Sequence, residues 1–426
     1  MAEQPFSGLR VIEFGQFVAV PYCAQLLADG GAYVIKVEPH EGDPTRTLAP
    51  TFPRESRHFI SRNRGKHSLP LDLRHELTPR ILDRLLSGAD VALFNLRPGL
   101  AAEMGLDFAT LSTRYPRLIC GNVTAFGREG PDRMLAGMDY VVQARSGLMA
   151  AMGKVSNGLP TAGDSPIVDF MAATQLAFGV ASALYERERT GRGGEVDVSL
   201  LGASMTLQNT LFTRVHSVDA APDQELREWL GRARAEGVPF ADQLQRSAGV
   251  RPSYMTTVYY RTFATADAAI AVAASGPGLQ KRLMAATGLA DEMLGRTAGI
   301  DREAIALHYA GLQHRIETRF AEKSTAEWKE MLDGAGVPAS PVRLPVELLT
   351  DEQVRANGLL VEQDHWGLGP VTNLGPPVKL NGDGFRAGPP AAPFGSEARE
   401  LLRLAGLSEG EIDEAVASGA VREADA

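Results

Sequence analysis

An aspartate at position 169 precedes the most regular helical segment of the chain. It lies in the run GDSPIVDF, and apolar residues at helical spacing continue over 169–189 to a glycine-rich stop at 191–194. From residue type and spacing alone, Asp169 fits a helix N-cap. The position also suits a nucleophile, because backbone N–H groups and the helix dipole favour an ionised carboxylate. Both roles remain open at this point.

Motifs of several other enzyme classes are missing from the sequence. A single glycine, Gly15, follows the first predicted strand, whereas a dinucleotide-binding loop needs closely spaced glycines. The eight histidines include no helical pair four residues apart, and Cys23 and Cys120 are the only cysteines, so neither a metal site nor a disulfide framework is expected. The sequence also lacks the nucleophile elbow of hydrolases and the phosphate loop of nucleotidases.

The composition indicates a soluble, cytoplasmic protein. Apolar residues make up 44% of the 426 residues, and the net charge of -9 provides no basic field for nucleic acid or an anionic membrane. The N-terminus lacks a secretory signal, and the longest uncharged helical stretch, 170–185, is shorter than the roughly 20 residues of a membrane span. We therefore expect no nucleic-acid or membrane partner and a buried helix at 170–185. Any anionic ligand must be held by clustered arginine and lysine.

The pattern of elements that must position Asp169 is that of an α/β protein. Apolar runs predict strands at 9–14, 33–38, 90–94, 117–122 and 195–200. Helical patterns at 21–29, 75–87 and 107–114 fall between them. This alternation predicts parallel strands with right-handed crossovers, hence a Rossmann-like doubly wound domain over the first 200 residues.

The rest of the chain has a different pattern. A charged, helical stretch at 222–245 precedes a predicted strand pair at 258–274, and we assign roughly 225–330 to a second, smaller α/β domain. Frequent proline and glycine over 338–426 predict extended segments before a last helix near 408–417.

Several motifs occur in a fixed order along almost the whole chain: LRVIEFGQFVAVPYCAQLLADGGAYVIKVEPHEGDPTR at 9–46, NRGKHSLPLDL at 63–73, NLRPGLAAEMGLD at 95–107, FGREGP at 126–131, GMDYVVQARSGLM at 137–149, ERERTGRGGEVDVSLL at 186–201, GAGVPASPV at 334–342 and LGPVTNLGPPVKL at 368–380. In these the chain resembles the family III CoA-transferases, the group of formyl-CoA transferase and carnitine CoA-transferase. The related α-methylacyl-CoA racemases share the likeness.

The resemblance implies that Asp169, found by counting back from Thr190, is the nucleophile. It would attack an acyl-CoA thioester to give an aspartyl anhydride, then an aspartyl-CoA thioester that a free carboxylic acid resolves. The implied substrates are an acyl-CoA donor and a carboxylic acid acceptor, with no tightly bound cofactor.

The resemblance also implies which residues bind CoA or line the acceptor site. By position these are Gln16, Phe17, Val18, Arg46, Asn63, Arg64, Gly65, Lys66, Asn95, Leu96, Arg97, Met138, Asp139 and Tyr140. Arg46, Arg62, Arg64, Lys66 and Arg97 would supply the basic cluster for the CoA phosphates.

This sequence departs from the family pattern at several positions. Leu96 replaces an aromatic residue, and Glu103 replaces an arginine that relatives direct at the CoA phosphates. No glycine-rich loop occurs at 246–253, which argues against a formyl or oxalyl substrate, and the charged segment at 215–250 is longer than expected.

Two alternative functions follow from the same resemblance. A racemase needs an acid/base partner opposite the aspartate, and Met138 stands where such relatives carry histidine, so transfer is favoured over racemisation. A non-catalytic CoA-binding protein would not need Asp169.

The family fold further implies an interlocked homodimer. Its large CoA-binding domain would combine 1–200 with a C-terminal return at 331–426, joined to the small domain at 225–330 through a linker at 201–224.

Overall fold

The computed structural model describes residues 3–152, 154–250, 257–295 and 301–424. These residues form two compact units, one of residues 1–215 with 352–426 and the other of residues 216–351. The larger unit therefore contains both ends of the chain.

A six-stranded parallel sheet forms the centre of the larger unit. Its strands in chain order are β1 (Arg10–Glu13), β2 (Tyr33–Glu38), β3 (Lys66–Pro70), β4 (Val91–Phe94), β5 (Ile119–Thr124) and β6 (Glu195–Ser199). The spatial order is β6-β5-β4-β1-β2-β3, the doubly wound Rossmann order, and all neighbours are parallel. The order of the chain reverses between β1 and β4, so a crevice is expected beyond the carboxyl ends of these two strands.

Seven helices of the N-terminal part accompany the sheet: α1 (Ala19–Asp29), α2 (Arg57–Asn63), α3 (Thr78–Ser87), α4 (Phe108–Arg114), α5 (Asp139–Ser146), α6 (Ile167–Thr190) and α7 (Leu200–Thr206). Shorter helices or strands are Pro44–Thr47, Pro50–Phe52, Glu55–Ser56, Pro98–Glu103, Leu148–Ala151, Val155–Ser156, Leu159–Pro160 and Asn209–Phe212.

The smaller unit consists of an antiparallel sheet and helices. Its helices are α8 (His216–Ala235), α9 (Phe240–Val250), α10 (Pro277–Thr287), α11 (Arg302–Phe320) and α12 (Thr325–Gly334), and its strands are β7 (Tyr260–Ala264), β8 (Ala269–Ala273) and β9 (Ala339–Pro341). A 3-10 turn at Pro345–Thr350 ends the unit.

The chain then returns to the larger unit. This part contains a short helix at Glu352–Ala356, a hairpin of β10 (Leu360–His365) and β11 (Gly369–Leu374), and the helices α13 (Ala398–Leu404) and α14 (Glu409–Ala417).

The two faces of the central sheet bury separate hydrophobic cores. Along β1, Val11 faces the core formed with α1 and α6, while Ile12 faces the core formed with α3, α13 and α14. Because both faces of the sheet are covered there, β1 and β4 are apolar at their centres, which made their positions predictable from the sequence.

Several predicted elements need correction. Residues 201–224 do not form the separate linker that was predicted. Most of them belong to α7, the short helix Asn209–Phe212 and the start of α8. Residues 331–351 belong to the smaller unit, since β9 pairs with β8. The strand β3 was not predicted, because it begins with lysine and histidine.

Helix α6 is not the fully buried helix that we expected. It is long and apolar enough to cross a membrane by length and composition, the one such helix in the described part of the chain. One face packs into the core through Val168, Leu176 and Val180, but Phe178 and Tyr185 on the other face are 77% and 69% exposed.

A network of buried charges lies beside the carboxyl end of β1. The ammonium group of Lys36 on β2 is 2.9 Å from a carboxylate oxygen of Glu13 and 2.9 Å from one of Asp43, and it donates to the carbonyl of Gly15 at 2.8 Å. The second Glu13 oxygen lies 2.8 Å from the ammonium group of Lys66. All four charged side chains are at most 2% exposed. Removing one member would therefore leave an uncompensated charge in the protein interior.

We predict that Lys36→Met destabilises the larger unit by about 3–5 kcal/mol, because Glu13 and Asp43 lose their shared cation. Urea unfolding would measure this difference. The matched control is Lys329→Met in α12, whose partner Asp333 is exposed, and it should cost less than about 1 kcal/mol. Equal effects of the two substitutions would show that the buried network contributes no more to stability than an exposed ion pair.

Candidate active site

A cavity of about 540 Å³ lies at the carboxyl ends of β1, β4 and β5. The loops that follow these strands line it, together with the segment before α5 and the first residues of α6 and α7. The lining residues are Gln16, Phe17, Val18, Ala19, Asn95, Leu96, Arg97, Val123, Thr124, Ala125, Arg133, Leu135, Ala136, Gly137, Met138, Val141, Asp169 and Leu200. This is the crevice expected where the strand order reverses between β1 and β4.

The loop after β1 is held in one conformation by hydrogen bonds from both sides. The backbone N–H of Gln16 donates to the side-chain oxygen of Asn95 at 3.2 Å, and the Asn95 amide donates back to the Gln16 carbonyl at 2.8 Å. Gly15 leaves no room for a side chain, because a Cβ there would lie 2.2 Å from a methyl of Val20. The next residue but one, Phe17, has a left-handed φ of 66°, which costs a non-glycine residue about 1–2 kcal/mol. The pairing of Gln16 with Asn95 thus couples the two loops across the crevice.

Asp169 occupies the first turn of α6 and faces the cavity. Asp169 does not cap this helix, the other role that its residue type and position allow. One oxygen of Asp139, from α5, accepts the backbone N–H groups of Val168 at 2.8 Å and Asp169 at 3.1 Å. The other Asp139 oxygen accepts from the amide of Gln143 at 2.6 Å. Asp139 therefore satisfies the helix end, and Asp169 remains available to the cavity.

The electrostatic surroundings of Asp169 also differ from the prediction. Burial is the main cause that raises the pKa of Asp169 to about 7, the negative charge of Asp139 raises it further, and the guanidinium of Arg62 opposes both. We had expected the helix N-terminus to keep this carboxylate ionised. That expectation is wrong because burial dominates the pKa of Asp169 and because Asp139 takes the N–H groups. At neutral pH, Asp169 is consequently divided between its neutral and ionised forms.

Eight of the predicted site residues line the cavity: Gln16, Phe17, Val18, Asn95, Leu96, Arg97, Met138 and Asp169. They come from four separate segments of the sequence. Two more lie near it without lining it. Asp139 is buried behind the first turn of α6, and Tyr140 is 56% exposed with its hydroxyl 3.4 Å from that of Thr161.

Arg46 is not placed to meet CoA phosphates, contrary to prediction. Its side chain is 1% exposed, its guanidinium pairs with Glu38 at 2.7 Å and Glu55 at 2.5 Å, and it stacks 3.6 Å from the ring centroid of Phe59. Both carboxylates come from short stretches on either side of it in the sequence. Arg46 is therefore a structural cation.

The segment 63–66 is likewise engaged inside the protein rather than in the cavity. Arg64 forms a two-pronged pair with Asp29 at 2.8 and 2.6 Å, and Lys66 donates to the carbonyl of Pro21 at 2.7 Å and to Asn63 at 2.8 Å. Gly65 adopts a left-handed φ of 73°. Burial outweighs the attraction of Glu13 and lowers the pKa of Lys66 to about 8. The prediction of CoA contacts for Asn63, Arg64, Gly65 and Lys66 is not supported by these positions.

Two arginines that line the cavity are exposed and have no ion-pair partner among the described residues, Arg97 and Arg133. The sequence prediction included Arg97 but missed Arg133, which lies in an irregular segment between β5 and α5. The sequence feature that could have indicated Arg133 is its position within seven residues of the GMD motif.

No cluster of three or more possible metal ligands occurs in the part of the chain that the structure describes. The sequence predicts that 246–253 do not form a glycine-rich loop. Of these residues, 246–250 belong to α9 and 251–253 lie outside the described residues.

Comparison with known proteins gives a consistent picture. The chain is 29% identical to succinyl-CoA:glutarate CoA-transferase of Mus musculus, over 99% of this chain and 91% of that protein. It is 30% identical to acetyl-CoA:oxalate CoA-transferase of Acetobacter aceti, over 94% and 95% of the two chains. The solved structure of a CAIB/BAIF family protein from Brucella suis matches with a TM-score of 0.72 and 25% identity, covering 95% of this chain and 100% of that one.

The family predicted from the sequence motifs is confirmed. Residues 6–396 match the family described as CoA-transferase family III. The relatives named above are enzymes that move CoA between acids, which accords with a cavity that contains a carboxylate. The chain belongs to CoA-transferase family III.

Proposed function

We propose that this CoA-transferase works through covalent intermediates on Asp169. The observation that carries the proposal is the position of this carboxylate. It faces a cavity at the switch point of the sheet while Asp139 satisfies the helix end behind it. The helix end therefore does not compete for the Asp169 oxygens.

The proposed exchange proceeds in four balanced steps. An Asp169 oxygen attacks the thioester carbonyl carbon, the C–S bond breaks, and CoA leaves as a thiolate with an aspartyl anhydride remaining. The thiolate then attacks the aspartyl carbonyl of the anhydride, which releases the first acid as a carboxylate and forms an aspartyl-CoA thioester. The acceptor carboxylate attacks this thioester and releases the thiolate again. Finally the thiolate attacks the acceptor's acyl carbon, so that the new acyl-CoA forms and Asp169 is regenerated as a carboxylate.

Arg97 and Arg133 are the proposed anchors for the CoA phosphates. They are the exposed cations of the cavity lining, and guanidinium groups bind phosphate oxygens in two-pronged geometry. In this protein they would take over the role of the arginine that Glu103 replaces. Arg46, Arg64 and Lys66 are excluded from that role by their buried ion pairs.

The acid pair is proposed from the cavity walls. Phe17, Leu96, Leu135, Met138 and Leu200 make the lining largely apolar, which suits a moderately apolar acyl group. A dicarboxylate is a candidate as well, because the relative that is named for glutarate acts on such an acid. A matrix of acyl-CoA donors against carboxylic acid acceptors, analysed by mass spectrometry, would identify the pair.

Racemisation is the weaker alternative. Met138 lines the cavity together with Asp169, and its thioether has no proton to exchange with the α-carbon of a substrate.

We predict that Asp169→Ala lowers CoA transfer by at least about 10³-fold, because removal of a covalent nucleophile forfeits both intermediates. The matched control is Asp164→Ala. That aspartate is exposed, lies in the same GDSPIVDF run and should be dispensable.

The covalent step itself is testable by trapping. Wild-type protein saturated with acyl-CoA and treated with hydroxylamine should carry an aspartyl hydroxamate at Asp169, detected by peptide mass spectrometry. An unmodified Asp169 under turnover, or an active Asp169→Ala variant, would contradict the proposal.

We predict that Asp169→Asn raises the stability of the larger unit at pH 8 by about 1–3 kcal/mol. The folded protein holds this carboxyl at a pKa of about 7, against an ordinary value of 3.8, so ionisation opposes folding. In the wild type, stability should fall between about pH 4 and pH 7 and then level off, since the folded state binds the extra proton. The variant should lose this slope in thermal unfolding, whereas Asp164→Asn should keep it.

A homodimer, interlocked as in the family, is also part of the proposal. The exposed apolar side chains Phe178 and Tyr185 of α6 support it, because a surface of this kind is commonly covered by another chain. We predict a dimer at micromolar concentration by analytical ultracentrifugation, weakened by Phe178→Glu. A monomeric wild type would contradict the interlocked arrangement.

A further inference from the structure

Arg62 is a buried arginine without a counter-ion. It lies in the last turn of α2 and is 9% exposed. One guanidinium nitrogen donates to the carbonyl of His58 at 3.1 Å, but the buried Nε has no hydrogen-bond partner. No carboxylate lies within ion-pair distance of it among the described residues. A buried charge without compensation is costly, so its retention calls for a reason.

The neighbouring cations show that the protein can pair buried charges where structure requires it. Arg46 has Glu38 and Glu55, Arg64 has Asp29, and Lys66 has Glu13. All of these partners are within 2.8 Å. Arg62 stands among them as the exception.

The guanidinium of Arg62 lies beside the first turn of α6. Its Cζ is 5.8 Å from the ring centroid of Phe170, the residue after Asp169, and the Phe170 ring packs edge-on against Tyr22 of α1 at 4.9 Å. The contact with Phe170 therefore places the Arg62 guanidinium at the first turn of α6. Arg62 does not line the cavity itself, but it acts electrostatically on Asp169, which does.

The charged groups around Asp169 are few. Asp139 of α5 acts on it with negative charge and Arg62 of α2 with positive charge. Asp43 also acts on Arg62, but that carboxylate is already paired with Lys36 at 2.9 Å. Helix α7, which packs against α6, has no charged residue, and on α1 Tyr22 is neutral while Asp29 is paired with Arg64.

We propose that Arg62 is the positioning residue that holds Asp169 as an attacking carboxylate, its positive charge reserved for that carboxylate. The inference rests on the proposed nucleophilic role of Asp169. This role explains why Arg62 has no counter-ion. If another carboxylate neutralised Arg62, its electrostatic attraction for the Asp169 carboxylate would be much weaker. When Asp169 becomes an anhydride or thioester its charge disappears, and the unpaired cation beside it favours the return of the carboxylate. Arg62 thus keeps Asp169 in the ionised form that can attack, and it favours the release of Asp169 as a carboxylate.

The test uses variants that remove or keep the charge. Arg62→Met fills the space with an apolar side chain, Arg62→Gln keeps polarity, and Arg62→Lys keeps the charge. Without the cation, the acid limb of the pH profile of kcat/KM for the acyl-CoA donor should move up by about one pH unit. Activity should accordingly fall about tenfold more at pH 6 than at pH 9, and Arg62→Lys should restore part of the shift. Arg57→Gln is the matched control, since Arg57 is exposed at the start of the same helix.

Stability provides an independent readout. At a pH low enough for Asp169 to be neutral, Arg62 has no ionised partner, so Arg62→Met should unfold at the same or a higher temperature than the wild type. An acid limb that does not move in either uncharged variant would overturn the inference. So would failure of both variants to fold, because Arg62 would then serve the structure rather than Asp169.

A titration without turnover separates this inference from the proposed function. With ¹³C-labelled aspartate and Asp169→Asn to assign the resonance, the Asp169 carboxyl should titrate at higher pH in Arg62→Met than in the wild type. If the wild type transfers no CoA but this shift occurs, the proposed function fails and the electrostatic role stands. If transfer is normal and the titration is unchanged, the role of Arg62 alone is refuted.

Discussion

The site depends on one buried contact, the ammonium group of Lys36 shared between Glu13, Asp43 and the carbonyl of Gly15. The three acceptors lie at the end of β1 and in the loops that follow β1 and β2. Burial alone would lower the pKa of Lys36, but the carboxylates of Asp43 and Glu13 outweigh burial and raise it, so the lysine stays charged. The loop after β1 is therefore tied to the sheet by an interaction that water does not reach. From that loop, Gln16 extends the constraint to Asn95 and to the opposite side of the crevice.

Two aspartates at the start of α6 have different roles. Asp139 accepts the free N–H groups and so bears the structural role of a helix cap. Asp169, in the first turn of α6, is left in a poorly solvated position beside a like charge, and its pKa rises. The same helix end would stabilise the Asp169 carboxylate if Asp139 were absent. Asp139 therefore makes the Asp169 carboxylate less stable as an anion, which favours its acylation.

The sequence alone predicted much of the fold and about half of the candidate site, and the physical reasons for the difference are clear. Strands such as Val91–Phe94 are apolar because both faces of the sheet are covered, so local pattern was sufficient. The loop residues at the edge of the crevice were found by motif.

The local pattern could not show which basic residues face a ligand and which are paired inside the protein. Whether Arg64 faces a ligand or Asp29 depends on a partner 35 residues away. The cap supplied by Asp139 to α6 spans 29 residues. Such pairings are set by tertiary packing, and residue type does not reveal them. The predicted nucleophilic role of Asp169 and the interlocked dimer remain predictions for the experiments above.

The depth of the Lys36 network has a consequence for the conditions under which the protein keeps its site. Dissolved ions weaken electrostatic attraction only where they can approach the charges, over a distance of about 8–10 Å in physiological media. The four side chains of this network are at most 2% exposed, so counter-ions have no access to them. The crevice should accordingly hold its shape in concentrated brine, while the attraction between its surface arginines and a phosphate-bearing substrate fades.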